Sequence, residues 1–224
     1  MIGGIYMLSD QETRDAIKVM REHFPEASTT LDGDTVFHFL LATILSAQST
    51  DHAVNQVTPA LFDRFPTPQS LAAVEPSDVE PFIQRLGLYH NKAKFLVNCS
   101  REIVTRFNGK VPHTLKELTS LSGVGRKVAD VVLAECFNIP AFPVDTHVNR
   151  VAHRLAMVSP KASRLQVEKR LMQAVPKEHW LDAHHSMIFW GRYQCTARHP
   201  QCAACPLLKI CQYGQSITQS PDHY

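Results

Sequence analysis

Apolar residues recur at helical spacing along most of the chain, and over no useful length do they alternate with polar ones. A repeat of three or four residues places side chains on one face of an α-helix, whereas strict alternation indicates a β-strand. The clearest helical runs are Val54, Val57 and Leu61 after Asp51, and Phe95, Cys99, Ile103 and Phe107 with Gly109 as a stop signal. The pattern predicts an all-α protein of about ten helices joined by short connections.

Three capping boxes support this prediction. In a capping box, a serine or threonine oxygen and an acceptor three residues later satisfy amide groups that the first helical turn leaves unpaired. The three pairs are Ser9 with Glu12, Thr114 with Glu117, and Ser163 with Gln166. Each pair predicts a helix that begins directly after its first member.

Pro140 and Pro143 interrupt the helical pattern, and the cysteine-rich segment after Gly191 has a composition of its own. Proline lacks the amide that a helix interior needs, so it commonly marks a connection. We expect a six-helix domain at residues 29–139. We expect a second lobe to combine residues 1–28 with 140–224.

The apolar run from Val36 to Leu45 is interrupted by His38 and Thr43, and it is far shorter than the ~20 residues of a membrane span. Residues 1–8 have neither the basic start nor the apolar stretch of a secretory signal. We therefore expect a cytoplasmic protein with no membrane partner. The formal net charge is only +2, so affinity for nucleic acid has to come from local basic patches.

Four of the six cysteines fall close together, with gaps of six, two and five residues, at Cys195, Cys202, Cys205 and Cys211. In a cytosolic protein such a group binds metal more often than it forms disulfides. One short pair has zinc-like spacing, although structural zinc sites usually present two such pairs, and the wider gaps also suit an iron–sulfur cube. Spacing alone leaves both metals open. Cys99 and Cys136 lie on apolar helix faces and are expected to be inert.

The segment from Leu121 to Lys127 carries two glycines one residue apart, Gly123 and Gly125, between two helical stretches. A tight turn of this kind leaves amide groups exposed at the start of a helix, where the helix dipole also favours an anion. The turn is therefore a candidate phosphate site, although an ordinary interhelical turn has the same residues. Lys127 falls in the first turn of the second helix, where a positive charge is disfavoured unless an anion is near.

Asp145 follows Lys127 by one helix and one connection. The eight residues from Asn138 to Asp145 can span roughly 27 Å, which exceeds the ~15 Å rise of the helix before them. Asp145 can therefore return to the start of the helix that carries Lys127. Taken by itself, an aspartate directly before Thr146 is also the usual N-cap of a helix.

Together these elements resemble the endonuclease III family over nearly the whole chain, apart from the first few and last dozen residues. The matching segments are Leu45–Gln48 with Asp51, Gly87–Tyr89, Leu121–Lys127, Val144–His147, His184–His185, Gly191–Tyr193 and the four spaced cysteines. The resemblance implies a helix-hairpin-helix DNA glycosylase fold with two helical lobes and an active-site cleft between them.

The resemblance also implies roles for individual residues. Lys127 would be the nucleophile and Asp145 the essential carboxylate, and the four cysteines would hold a 4Fe-4S cluster rather than zinc. Gln48 and Leu88 match positions that enter the DNA stack and fill the gap left by an extruded nucleotide. The expected DNA contacts are Gln48, Leu88, Gly123, Val124, Gly125, Arg126 and Arg198.

Two positions depart from the family pattern. Ser122 stands where a proline usually precedes the first glycine of the hairpin, which should loosen the turn by about 0.4 to 1 kcal/mol through unfolded-state entropy. The loop from Thr196 to Gln201 keeps Arg198 but has His199 and Gln201 where relatives often carry more positive charge. We therefore expect weaker and more pH-dependent nonspecific affinity for DNA than is typical of the family.

The function that the resemblance implies is base-excision repair by a monomeric glycosylase and AP lyase acting on duplex DNA with damaged bases or abasic sites. It would remove oxidised pyrimidines and cleave the abasic site by β-elimination through a lysine Schiff base. A lysine amine is almost fully protonated at pH 7, so this role requires burial or nearby positive charge to lower its pKa. The alternatives are a monofunctional adenine-mispair glycosylase, which lacks this lysine, and a noncatalytic DNA-binding or electron-carrying iron–sulfur module.

Overall fold

The computed structural model describes residues 6–219, in which helices are joined by turns and loops and there is no β-strand. The prediction of an all-α fold is therefore confirmed. The chain divides into two compact units. We call Thr29–Ile139 the hairpin unit, and the described residues before and after it the cysteine unit.

The hairpin unit contains seven helices, one more than the six expected. They are α2 (Val36–Leu45), α3 (Asp51–Arg64), α4 (Pro68–Ala72), α5 (Pro76–Ile83), α6 (Tyr89–Phe107), α7 (Leu115–Leu118) and α8 (Arg126–Phe137). The count is higher because α4 has only five residues, too few for apolar periodicity to separate it from a turn. Helix α7 has four residues and was predicted only by its capping pair, Thr114 with Glu117. Thr67 and Thr114 start them by accepting a backbone amide.

Helix α2 is the centre of the hairpin unit. Nine of its ten residues are buried, and it packs against α3, α6 and α8. A helix that is apolar on all sides has to be enclosed by other elements. The three helices around α2 supply that enclosure. Among the helices of residues 6–219, none has the length and apolarity needed to span a membrane.

The cysteine unit has a separate core, built around Met20, Phe142 and Trp190. Its helices are α1 (Asp10–His23), α9 (Thr146–Arg154), α10 (Arg164–Ala174), α11 (Trp180–Phe189) and α12 (Gln212–Gln219), with a π-helical turn at Trp190–Gln194. Helix α1 packs against α10 and α11 and is therefore part of this core.

Two of the three predicted capping boxes form completely, at Ser9 with Glu12 and at Ser163 with Gln166. The third forms only in part. The Thr114 side chain accepts the amide of Glu117, but the Glu117 carboxylate accepts the Thr114 hydroxyl at 2.6 Å instead of the Thr114 amide.

Helix α10 allows a matched test of core packing, because Leu171 is fully buried and Leu165 is 44% exposed on the same helix. We expect Leu171→Ala to lower the free energy of unfolding by about 2–5 kcal/mol through lost burial and the cavity left behind. Leu165→Ala should change it by less than about 0.5 kcal/mol. Denaturant unfolding of both variants measures the difference, and equal losses would contradict the packing of α10.

Candidate active site and nucleic-acid interface

The turn between α7 and α8 is shaped by close packing under Gly123. Gly123 has φ +78°, in the left-handed region that glycine tolerates best. A Cβ added there would lie 2.8 Å from Cβ of Phe95 on α6 and 3.2 Å from Cγ2 of Ile44 on α2. Both the backbone conformation and the space available therefore require glycine at position 123.

Gly125 is different, because it is extended and exposed, and no heavy atom lies within 4 Å of the place where a Cβ would be. The protein itself does not need glycine there, so the open space suits the approach of a ligand to the backbone. The amides of Gly123 and Gly125 donate no hydrogen bond within residues 6–219, whereas the amide of Val124 donates to the Leu121 carbonyl at 3.1 Å. Unpaired amides at the start of a helix are the groups that bind anions in proteins, so the turn remains a candidate phosphate site.

Lys127 is the second residue of α8 and is partly buried, while Arg126 beside it is exposed. The sequence analysis missed Asp130, which is 4% exposed and lies one turn further along the same helix. Nε of Arg126 is 3.7 Å from Oδ2 of Asp130. The sequence did carry a signal for Asp130, because it falls among the apolar positions of α8 that face the core. A carboxylate at such a position needs a partner when it is buried.

Helix α6 holds the hairpin turn from the side. The Glu102 carboxylate accepts the amide of Ser122 at 2.7 Å and its hydroxyl at 2.8 Å. Arg106 donates to the carbonyl of Ser120 at 3.2 Å and to its hydroxyl at 2.7 Å. Ser122 is therefore held to α6 by two hydrogen bonds. The sequence-based expectation of a looser turn did not take these hydrogen bonds into account.

Gln48 and Leu88, the two residues expected to enter the DNA stack, share an unusual backbone. Their φ angles are +55° and +60°, in the left-handed region that non-glycine residues seldom adopt. Both side chains are exposed, and Leu88 exposes 56% of its surface as the N-cap residue of α6. Such outliers cluster at functional sites, because surrounding structure has to hold them in place.

Lys92 supplies part of that support and was not predicted. It is only 3% exposed, its amide donates to the Leu88 carbonyl at 3.0 Å, and its Nζ donates to Oγ of Ser49 at 2.7 Å. Burial lowers the pKa of Lys92 below its ordinary value. Lys92 thus joins the segment after Gln48 to the first turn of α6. The sequence could have indicated this role, because Lys92 falls among the apolar positions of α6 that are buried.

In the cysteine unit, Asp145 is the N-cap of α9, as one of the two interpretations held. Its Oδ1 accepts the amide of Val148 at 2.8 Å. The π-helical turn runs close to the start of the same helix, since a Cβ on Gly191 would lie 2.7 Å from Cβ of His147. The position of Asp145 is therefore fixed both by its cap and by close packing of the next turn.

Two arginines one turn apart connect α9 to the cysteine loop. Arg150 donates to the carbonyls of Gly191 and Cys195, at 2.7 and 3.1 Å. Arg154 donates to the Thr196 carbonyl at 2.6 Å and to Sγ of Cys195 at 3.4 Å. The helix that Asp145 caps thus also holds the first of the four spaced cysteines.

The four spaced cysteines line one small cavity of about 20 Å³. Burial raises the pKa of three of them, and that of Cys211 reaches about 11. Within residues 6–219, no group of three or more His, Cys, Asp or Glu side chains is arranged to hold a single metal ion. Arg198 lies in the same loop and is exposed, beside His199 with φ +46°.

The remaining two cysteines are thiols in apolar surroundings. Cys99 is fully buried, and burial is the main cause that raises its pKa, with the charge of Glu102 adding to it. Cys136 is only partly buried, and its pKa rises to about 11 for the same main reason. Raised pKa values keep both sulfurs protonated and unreactive, although Cys136 is less enclosed than expected.

Known proteins match this chain closely. A family model described as HhH-GPD superfamily base excision DNA repair protein matches residues 41–177. The endonuclease III of Bacillus subtilis (strain 168) is 44% identical over 209 residues, which are 93% of this chain and 95% of that protein. The chain belongs to the endonuclease III family.

Solved structures agree with this assignment. A trapped endonuclease III–DNA covalent intermediate, in an estranged-adenine complex, is similar with a TM-score of 0.92 at 44% identity, covering 95% of this chain and 100% of that one. A non-covalent endonuclease III–DNA complex has a TM-score of 0.93 at 43% identity, with 96% and 100% covered. The predicted family, the helix-hairpin-helix glycosylase fold and an enzymatic role in base-excision repair as a DNA glycosylase and AP lyase are thereby confirmed.

Within the family member described here, the site residues fall in both units. Gln48, Leu88, the Gly123–Arg126 turn and Lys127 lie in the hairpin unit. Asp145, Arg198 and the four spaced cysteines lie in the cysteine unit. The pairing of Lys127 with Asp145 across a cleft stays a prediction.

The surroundings of His147 predict a pH dependence of stability. Burial lowers the pKa of His147, and the charge of Arg150, which donates to Nδ1 at 3.2 Å, adds to the shift. The Asp145 charge and a hydrogen bond with the Gly191 backbone oppose it. Below about pH 6.5 the histidine of the unfolded chain binds a proton, whereas that of the folded protein stays neutral until the pH reaches its lower pKa. The free energy of unfolding therefore falls as the pH drops toward the folded pKa and levels off below it. His147→Gln should flatten the fall in Tm between about pH 6.5 and 5. An unchanged slope would contradict the neutral state of His147.

Proposed function

We propose that the protein removes oxidised pyrimidines from duplex DNA and then cleaves the abasic site, with Lys127 as the nucleophile. One observation carries the proposal. Lys127 is the second residue of a helix whose preceding turn has two unused amides. A phosphate bound at those amides would bring the DNA backbone to the amine.

DNA is the proposed partner because the hairpin unit offers both a phosphate site and two exposed wedge residues. A damaged base inside a duplex is out of reach, so the nucleotide has to be extruded at a cost of a few kcal/mol. Gln48 and Leu88, held in left-handed conformations, support the role of filling the space left in the stack. Because poorly stacked lesions cost less to extrude, the same step favours damaged bases.

In the proposed reaction, the Nζ electron pair of Lys127 attacks C1′ of the extruded nucleotide, and the base leaves with the electrons of the glycosidic bond. Opening of the sugar ring at O4′ gives a Schiff base between Nζ and C1′. Loss of a proton from C2′ then expels the 3′ phosphate and breaks the strand. The amine has to lose a proton before it attacks, and the neighbouring Arg126 and the helix N-terminus favour that loss.

Asp145 is proposed to stabilise the positive charge that develops on the sugar and to help deprotonate the nucleophile. The N-cap hydrogen bond uses Oδ1, and Oδ2 makes no hydrogen bond within residues 6–219. Capping and catalysis therefore do not compete for the same atom. Carboxylates assist glycoside cleavage in the same way.

The four spaced cysteines are proposed to hold a 4Fe-4S cluster. The donor set fits, because four thiols line one cavity and two N–H groups point at their sulfurs, from Gly214 to Cys211 at 3.3 Å and from Arg154 to Cys195 at 3.4 Å. Donors of this kind offset the charge of cluster thiolates. When bound, the cluster would supply a covalent cross-link for the loop that carries Arg198, a proposed phosphate contact.

Two further points belong to the same proposal. The enzyme acts as a monomer in the cytoplasm, where it associates with the nucleoid through DNA. The cluster would have a structural role, since Arg150 and Arg154 of α9 already hold the cysteine loop through its backbone carbonyls.

Lys127→Ala should abolish borohydride trapping on a duplex with one oxidised pyrimidine and reduce strand cleavage by roughly a thousandfold or more, because no other amine replaces the nucleophile. Lys116→Ala is the matched control, since Lys116 is an exposed lysine on α7. Trapping of the Lys127 variant at the normal level would show that another residue is the nucleophile. Base release without trapping by the wild type would favour the monofunctional glycosylase.

Asp145→Asn separates catalysis from capping, because asparagine caps helices about as well as aspartate but has no charge. We expect single-turnover rates to fall by about 10² to 10⁴ while the Tm and the affinity for DNA are retained. Asp145→Ala should lose stability as well. If Asp145→Asn cleaved normally, Asp145 would be a cap only.

The cluster predicts about four iron and four sulfide per chain, with visible absorbance. Cys202→Ser should lose most of the iron and lower the Tm, since a structural metal site contributes to folding. Cys136→Ser is the control and should retain both. One zinc per chain without visible absorbance would overturn the assignment.

A further inference from the structure

We infer that Glu102 is a positioning residue for the phosphate-binding turn, which it holds through a two-point contact with Ser122. The inference rests on the proposed function, in that it takes the amides of Gly123 and Gly125 as the phosphate site. We assign Glu102 no direct contact with DNA or with the reacting atoms. It acts through the residue that begins the turn.

The contact is built to fix an orientation. The two carboxylate oxygens of Glu102 receive the amide and the hydroxyl of Ser122 separately, at 2.7 and 2.8 Å. Two hydrogen bonds to one planar group fix the direction of the peptide plane as well as its distance. The amide of Gly123 belongs to the next peptide, after the Cα of Ser122. Holding Ser122 by both its amide and its side chain therefore limits the directions in which that first unused amide can point.

Glu102 belongs to one face of α6 that carries the whole turn. Phe95, Glu102 and Arg106 are spaced by seven and four residues, which places them on the same side of a helix. Phe95 lies under Gly123, Glu102 holds Ser122, and Arg106 holds Ser120. The turn is therefore supported along its length by a rigid helix.

Simple electrostatics gives the opposite expectation for Glu102. A carboxylate beside a phosphate site repels DNA, so removing its charge should strengthen binding. A positioning role predicts weaker binding when the contact is lost. Glutamine separates the two effects, because its carbonyl can accept the Ser122 amide while its NH₂ donates to the Ser122 hydroxyl, with no charge.

Proline at position 122 provides a second, independent test. It has no amide hydrogen and no hydroxyl, so Ser122→Pro removes both hydrogen bonds and leaves the partly buried Glu102 carboxylate without them. The residue usual in the family should therefore weaken this particular protein. The loss should be smaller when Glu102 is replaced by leucine, because no carboxylate is then left unpaired.

The experiment measures the Kd for a duplex with an uncleavable abasic analogue. The proteins compared are the wild type, Glu102→Ala, Glu102→Gln, Ser122→Pro and Ser122→Pro/Glu102→Leu. The amount of active protein is determined by borohydride trapping. Single-turnover cleavage at saturating DNA and amide exchange of residues 120–126 accompany it. We expect Glu102→Ala and Ser122→Pro to bind about tenfold more weakly, which corresponds to about 1.4 kcal/mol. Cleavage at saturation should stay within about twofold, and exchange at the turn should be faster.

Glu102→Gln should bind as tightly as the wild type or more tightly, and the double variant should bind more tightly than Ser122→Pro alone. Tighter binding by both Glu102→Ala and Glu102→Gln would show a charge effect only and overturn the positioning role. Unchanged exchange in Glu102→Ala would overturn it too. If the wild type neither bound nor trapped DNA, the proposed function would be refuted and the positioning role with it. Amide exchange at residues 120–126 would still show whether Glu102 holds Ser122.

Discussion

The interface with DNA depends on one packed turn. Gly123 can lie against Phe95 and Ile44 only because it has no side chain, and this contact brings the turn down onto α6 and α2. The unused amides at the start of α8 and the position of Lys127 follow from it. The hydrogen bonds from α6 to the turn keep that geometry while the glycines leave it open to a phosphate.

Helix α9 plays a comparable part in the cysteine unit. Its first turn is fixed by the Asp145 cap and by the close approach of Gly191, and Arg150 and Arg154 further along hold the cysteine loop. The proposed catalytic carboxylate and the proposed cluster are thus attached to one rigid element.

Buried or strained residues mark the surface assigned to DNA. Gln48 and Leu88 adopt left-handed conformations, and the buried amine of Lys92 connects the segments that carry them. Desolvating an amine costs free energy that a purely structural contact could avoid with an apolar side chain. The buried amine therefore lies next to the two segments that expose Gln48 and Leu88 to solvent.

The sequence by itself determined the all-α class, two complete capping boxes, the glycine turn with its lysine, the aspartate that caps α9 and the spacing of the cysteines. These signals are local, since each depends on residues within one or two helical turns. Only the tertiary structure decided that Glu102 would hold Ser122, 20 residues away, and that Lys92 would reach Ser49, 43 residues away. Such contacts depend on how helices pack, because one helical face offers the same side chains to any neighbour, and only folding selects which neighbour arrives.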